Sequence, residues 1–584
     1  MRIKLSYVAD DDSVNDGADQ PAQEQASRLP LLDCESPHRE PCCGPDDSVP
    51  ISSLSDTEQS QNHVGNSHKI GIIGAGIAGL YIAMILDDLA IADLTYEILE
   101  ASSRVGGRLF THHFSSDKHD YYDVGAMRYP KVPPMRRAFR LFHDTKVPLM
   151  PYYIMDRENC PRYFNGRFSA PDDADPHHVG EGNGGSVPDF VVAQSRELLE
   201  REYAPYKESL RQDFSTGIEE LLKSDDVSTR QHLAFGGLRR ARPKYDFFSI
   251  QWLERQSTYT GFFERAFSAS VMRSYLTIGV SWWCIDGGSG VLIDAMRRRI
   301  RNQVETNKHV TAVTMAQDMS EENNLSIHVQ GEYQPRTGFS TVFSTTTLGA
   351  LERIDLASLD LHPSQSEAIR AMHYEDATKV AIKFKYPWWI VHCGIRRGGM
   401  GMTDLPMRSC VYPSYNILDG ADGPSVLIAS YTQGQDARRI ASLIGASASD
   451  GEPLIDLILR DLATLHSQHV TYDMIKDAYT GEYHAYSWGN DSYALGAHAS
   501  PSPSQVKNLL PFLTRPAAQG KFHIVGEASS LHHGWIVGAL DSAYSAVHQF
   551  LRLYGLEDAI EHLEKRWGLS DEVESECQEK SGQH

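Results

Sequence analysis

The stretch HKIGIIGAGIAGLYIAMIL, His68 to Leu86, decides how the rest of the chain is read. An apolar run of strand length breaks at Gly74-Ala75-Gly76-Ile77-Ala78-Gly79, and apolar residues then continue at helical spacing. Glycines at these places allow a tight turn and a close approach of backbone N–H groups to a pyrophosphate at a helix N-terminus. A second apolar run, LTYEILE, ends on Glu100, 21 residues beyond Gly79. A carboxylate at that distance can accept hydrogen bonds from ribose hydroxyls. Strand, glycine turn, helix, strand and acid in this register predict a dinucleotide-binding unit at the head of an α/β fold.

The chain has 584 residues, 41% of them hydrophobic, which is enough for a large core divided among several structural units. Its formal charge of -22 argues against nucleic acid or an anionic membrane surface as partner, because both require a positive face. No run approaches the length of a membrane-spanning helix, and MRIKLSYVADDDSVNDG turns acidic before an apolar leader could form. A cytoplasmic location is therefore expected. The eight cysteines, at 34, 42, 43, 160, 284, 393, 410 and 577, show no metal-ligand spacing, so no metal site and free thiols are expected.

Residues 1–67 carry 13 acidic and 4 basic residues without hydrophobic periodicity, and read as a disordered acidic extension. The nucleotide-binding domain is expected to combine 68–112, 274–350 and 515–555, and a β-rich substrate domain to combine 113–188 with 351–514. Residues 189–273 carry helical spacing and form an expected helical insertion; 556–584 is a polar C-terminal tail. The Gly, Pro and Asp-rich loop APDDADPHHVGEGNGGSVP holds His177 and His178, which read as solvated rather than metal-binding.

The continuation EASSRVGGRLFTHHF adds Gly106, Gly107 and Arg108 to the cofactor side. This run resembles the flavin amine oxidase superfamily, whose members share E-A-x-x-R-x-GGR. DVGAMRYP, Asp123 to Pro130, resembles its L-amino-acid oxidase branch. The resemblance implies a Rossmann-type FAD-binding domain, a mixed β-sheet substrate domain and a helical insertion. It implies FAD contacts from Gly74, Gly76, Ile77, Ala78, Gly79, Glu100, Ala101, Gly107, Arg108, Gly125, Ala126, Met127, Arg128 and Val310. VGEASSLHHGWIVGALDSAYSAV adds Gly526, Glu527, Gly534, Trp535 and Ile536. His532 and His533 there find no third ligand for a metal.

In the same family reading Arg128 grips the substrate carboxylate with Tyr431 beside it, Gly534 and Trp535 wall the amine side, and Lys379 holds a water near the flavin. A planar guanidinium suits a carboxylate because it offers two parallel charge-assisted hydrogen bonds. The competing reading of Arg128 is an internal ion pair. YSWGNDSYALGAH lacks the cysteine of covalently flavinylated relatives, so the FAD is expected to be non-covalent. The implied partners are an amino-acid substrate and O2, with a homodimer allowed for. The implied reaction is oxidative deamination of L-amino acids, with aromatic or large apolar side chains preferred. A decarboxylating 2-monooxygenase, an amine or polyamine oxidase and a non-enzymatic flavoprotein are the rivals.

Overall fold

The computed structural model describes residues 67–568 apart from 155–159, 171–172, 236–243, 258, 278–279, 317–322 and 446–451. All but the last residue of the expected acidic extension lies outside these, as do Cys34, Cys42, Cys43 and Cys577. Cys284, Cys393 and Cys410 are free thiols.

The glycine turn sits where the sequence places it. Strand β1 (His68–Ile73) runs into helix α1 (Ile77–Leu89), and β2 (Leu94–Leu99) returns beside β1 in parallel register, with Ile70 opposite Tyr96. Three further parallel strands, β3 (Val304–Glu305), β4 (Thr341–Ser344) and β5 (Phe522–Ile524), complete a five-stranded sheet ordered β3-β2-β1-β4-β5. A parallel sheet is covered on both faces, which is why Ile70 to Ile73 of β1 and all four residues of β4 are buried. Ile70 and Ile72 point to α1 and to helix α2 (Ile536–Leu553). Ile73 points the other way, with Val342 and Phe522, onto a three-stranded antiparallel sheet of Val310–Met315, Leu325–Val329 and Arg336–Phe339. Every residue of α1 from Ile77 to Leu86 is buried, at roughly 1.5–3 kcal/mol per large apolar side chain. Packing, rather than helix propensity, holds this element.

The β-rich region folds as a seven-stranded sheet in which Ala377–Phe384 lies between Tyr479–Ser487 and Ser425–Gln433, with antiparallel partners on both sides. Strand alternation sorts its residues. Val380 and Ile382 face a core roofed by Glu452–Leu465, whereas Ala381 faces Tyr122, Val124 and Met127. A third, small sheet pairs Tyr129–Pro130 and Leu149–Tyr152 with the strand Trp282–Ile285.

Helices occupy Asp189 to Thr277 with short breaks, ending in Phe267–Thr277, and they share one apolar core. Two local expectations change. His177 is buried rather than solvated: its loop folds around Asp175, which accepts from the Val179 and Gly180 N–H groups and from Asn183 Nδ2, and this turns His177 onto Arg167 O and Ser169 Oγ. Within the expected polar tail, Glu557–Trp567 is an amphipathic helix whose Ile560, Leu563 and Trp567 are buried, because these three recur on one helical face. Arg137 pins its end by donating to Trp567 O and Gly568 O.

Candidate functional site

A cavity of about 1480 Å³ runs along the ends of the parallel strands, past the small Tyr129–Pro130 sheet, to the helices between Asp189 and Thr277. Gly74 turns at φ +103, and Gly76 leads into α1 without a side-chain cap or an acidic residue in the first turn. The first N–H groups of α1 thus lack intrahelical partners, and the helix dipole favours an anion there. A Cβ on Gly76 would meet no protein atom within 4 Å, so the turn leaves space in front of its backbone. Gly106 N donates to Ala75 O at 2.9 Å, and Gly107 turns at φ +55 against Gly76. The two glycine runs, distant in neither sequence nor space, form one cradle.

Glu100 is held rigidly at the end of β2, accepting from Ala75 N (2.9 Å), Ser102 N (2.9 Å) and Ser102 Oγ (2.8 Å). A carboxylate has about four acceptor positions, so it can still receive a hydroxyl. Glu527 is the second buried acid. It accepts from Arg108 Nη1 (2.9 Å), Ala499 N (3.0 Å) and Gly534 N (2.6 Å), joining the GGR run to the Gly534-Trp535 turn. Trp535 precedes α2, whose N-terminus likewise has no side-chain cap and no acid in its first turn. Two open helix N-termini therefore face one cavity.

The segment 123–128 is fixed from both sides. Asp123 Oδ1 accepts from Thr111 Oγ1 (2.7 Å), Ser289 N (2.8 Å) and Ser289 Oγ (2.9 Å). Lys379 donates to Asp123 O (2.8 Å), Gly125 O (2.7 Å) and Met127 Sδ (3.4 Å). Register pairs Lys379 with Tyr431 across the seven-stranded sheet, and the amine sits 5.1 Å above the Tyr431 ring. Tyr431 Oη in turn accepts from Gln433 Nε2 at 2.6 Å.

Arg128 emerges from this frame into the cavity. It has no carboxylate partner among the described residues, and its buried Nη1 has no hydrogen-bond partner. Its guanidinium lies 5.6 Å from the Trp282 ring, and Trp282 lies 5.9 Å from Trp535. The internal ion-pair reading of Arg128 thus finds no acid to support it among the described residues.

The cavity wall gathers almost all the residues singled out by sequence: Gly74, Gly76, Ile77, Ala78, Glu100, Ala101, Gly107 and Arg108, the 125–128 run, Val310, Lys379, Tyr431, Gly526, Glu527 and 534–536. Gly79 is not on that wall. It lies behind the turn, where a Cβ would stand 2.1 Å from Gly74 O. Trp282, Tyr152, Gln433 and Arg273 line the cavity without having been singled out. Trp282 and Tyr152 reach it through antiparallel pairing with each other, a long-range register that composition does not reveal.

Burial pulls the Lys379 amine down to about 7, with Asp123 opposing the shift and Arg128 adding to it. Between pH 7 and the ordinary lysine range the unfolded chain binds a proton that the fold does not. Stability contributed at this site therefore rises with pH across that window and is lost as pH falls toward 7. Relative to Lys379→Met, the wild-type protein should gain on the order of 1 kcal/mol per pH unit between pH 7.5 and about 10. Urea unfolding of both proteins at each pH checks this, and a flat difference contradicts a lowered lysine.

The flavin-containing amine oxidoreductase family model matches residues 77–551. The chain belongs to this family. Within it, the chain is 39% identical over 536 residues to a proposed bifunctional amine oxidase of Dictyostelium discoideum, covering 86% of this chain but 48% of that protein. It thus spans about half the length of that relative. It is 35% identical to L-amino-acid oxidase 4 of Hebeloma cylindrosporum, with 83% of this chain and 82% of that one covered. It is 29% identical to an L-amino-acid oxidase of Siganus canaliculatus, with 83% and 85% covered.

FAD is the cofactor that this family implies, and the residues present fit it. The glycine cradle with the open α1 N-terminus suits a pyrophosphate, Glu100 suits a ribose, and the uncapped α2 N-terminus suits a ring that gains negative charge on reduction. Among the described residues no group of three His, Cys, Asp or Glu could hold a metal, and no helix is long and apolar enough to cross a membrane.

Proposed function

We propose that the protein oxidatively deaminates L-amino acids, with FAD bound non-covalently on a Rossmann-type domain. The observation that carries this reading is Arg128, an unpaired guanidinium facing the cavity that also holds the dinucleotide cradle. Burying a cation without a counter-charge is costly, and a substrate carboxylate removes that cost. The five-stranded parallel sheet and its glycine turn support the domain assignment.

FAD, when bound, supplies the acceptor for the hydride that leaves the substrate α-carbon. Arg128 binds the carboxylate through its planar fork, and the Lys379 contacts to Asp123 O and Gly125 O keep the segment that presents Arg128 from shifting. Tyr431, oriented by Gln433, closes the carboxylate side. Trp282 and Trp535 shield the reacting carbon from water, which strengthens every charge interaction inside. Positioning is the chief contribution of these residues. The amino acid, O2 and water give a 2-oxo acid, ammonia and hydrogen peroxide.

Peroxide release measured across the proteinogenic L-amino acids and several amines, with the organic product identified by mass, tests the reading. A 2-oxo acid supports it; an amide one carbon shorter assigns the decarboxylating monooxygenase instead. Turnover of amines alone removes the carboxylate role of Arg128. The purified protein should be yellow, and heat or acid precipitation should release its FAD into the supernatant. Flavin that stays with the precipitate contradicts non-covalent binding. The side-chain preference expected from sequence, for aromatic or large apolar groups, has Phe262 and Met400 as its support in the wall; the charges of the same wall favour a different class.

A further inference from the structure

A second chamber of about 310 Å³ shares Arg128, Ser257, Arg273, Met400, Tyr431 and Gln433 with the main cavity. A substrate held by its carboxylate at Arg128 therefore lies at the boundary of the two, with the chamber within reach of its side chain. The chamber is rich in charge, and most of that charge is neutralised. Arg408 pairs with Asp436 at 3.0 Å, Arg255 with Asp404 at 3.7 Å and Glu254 with Arg230 at 3.4 Å.

Arg273 is different. It projects from the helix Phe267–Thr277 of the insertion, is half-buried, and has no carboxylate partner and no hydrogen bond from its guanidinium among the described residues. Its contacts are with ring faces, 5.2 Å from Phe262 and 5.9 Å from Tyr259. Such contacts compensate only part of the desolvation of a cation. Close by, Tyr259 Oη and Gln433 Oε1 are buried without hydrogen-bond partners. A chain with a net charge of -22 thus keeps two uncompensated guanidiniums in the walls common to both chambers.

We propose that Arg273 receives a carboxylate on the substrate side chain, so that dicarboxylic L-amino acids are the substrate class; this rests on the L-amino-acid oxidase reading above. One carboxylate meets Arg128 and the second meets Arg273, and Tyr259 has a hydroxyl to donate to the second. An apolar side chain would cover Arg273 without pairing it, which is the unfavourable arrangement. A site built for a charge rejects an uncharged isostere because its own polar groups are then left unmatched.

Holoenzyme is assayed for peroxide with L-glutamate, L-aspartate, L-glutamine and L-leucine. Glutamine has the shape of glutamate without its charge. At least one dicarboxylic substrate should exceed glutamine in kcat/KM by about 30-fold or more, the low end for truncating one member of a buried charge pair, and this ratio should fall to about one in flavin-loaded Arg273→Met. Independently of turnover, and without any variant, glutarate should perturb the flavin absorbance of the holoenzyme at concentrations about tenfold lower than pentanoate, which has the same length and one carboxylate fewer.

Glutamine matching both dicarboxylic substrates, with glutarate binding no tighter than pentanoate, overturns the proposal. Peroxide from any L-amino acid then leaves the oxidase reading standing. A preference for the charged substrates that survives in Arg273→Met assigns the receptor elsewhere and also overturns it. If no L-amino acid yields peroxide while glutarate still binds about tenfold more tightly than pentanoate, the oxidase reading fails and the anion subsite stands.

Discussion

Arg128→Met should keep its FAD and lose about 30-fold to several thousand-fold in kcat/KM for L-amino acids. The estimate comes from the roughly 2–5 kcal/mol cost of truncating one partner of a buried charge pair, at about 1.4 kcal/mol per decade. Methionine nearly preserves side-chain length and cannot pair with a carboxylate, so the loss reports the charge and its fork. The fold should tolerate the change. Arg128 makes no ion pair among the described residues, its Nη1 bonds to nothing, and what it gives up is its place beside the Trp282 ring and its interaction with the Tyr152 hydroxyl. Arg128→Lys should recover part of the activity, because an ammonium keeps the charge but not the planar geometry. An amine without the carboxylate has nothing for Arg128 to hold, so its low rate should change little. Normal amino-acid turnover in flavin-loaded Arg128→Met removes the carboxylate role of Arg128, and with it the assignment of the substrate.

The glycine-turn end of the cavity was legible in sequence, and the end around Arg128 only in part, for a physical reason. Gly74, Gly76, Glu100, Gly107 and Arg108 lie within a short contiguous stretch whose spacing is set by one turn, one helix and one strand, so local geometry fixes their relation. Arg128 was legible because a cation in an apolar segment demands a counter-charge. Lys379 and Tyr431 come from one sheet, but their register, with Lys379 opposite Tyr431, depends on a pairing across the length of two strands and a loop. Arg273 arrives from the helix Phe267–Thr277 and Trp282 from the strand that follows it, where periodicity identifies elements but not the face that meets a cavity. His177 shows the same limit on a smaller scale. Its loop composition reads as solvated, and only the ring of hydrogen bonds to Asp175 turns it inward. Gly79 shows a different one: the spacing marks the glycine without saying whether it meets the ligand or the protein.

That last distinction gives the second large effect, a contrast between Gly76→Val and Gly79→Val. At Gly76 the backbone has φ -73, ordinary for an L-residue, and a Cβ there meets no protein atom within 4 Å. As the residue preceding α1 it can be replaced at a cost of about 1 kcal/mol or less. Gly76→Val should therefore fold, with the melting temperature of its flavin-free form within a few degrees of the flavin-free wild type. Its side chain would occupy the space through which the α1 N–H groups reach a pyrophosphate, so it should purify with less than about a tenth of the wild-type FAD, a loss that overpacking of roughly 1–3 kcal/mol produces. At Gly79 the conflict is inside the protein. A Cβ would stand 2.1 Å from Gly74 O, 3.1 Å from Thr345 Oγ1 and 3.2 Å from Ile72 Cγ2, and the first of these is backbone that cannot rotate away. Valine improves on glycine in a helix by only a few tenths of a kcal/mol, which does not offset that clash. Gly79→Val should thus lower the melting temperature of the flavin-free protein by on the order of 5 °C or more, and lose FAD as a consequence of a displaced α1. Thermal melting of both flavin-free variants, beside their flavin content, separates the two roles. Stoichiometric FAD in Gly76→Val would show that the cofactor does not approach this turn, and equal melting temperatures for the two variants would show that helix–strand contact at Gly79 is looser than its 2.1 Å geometry requires.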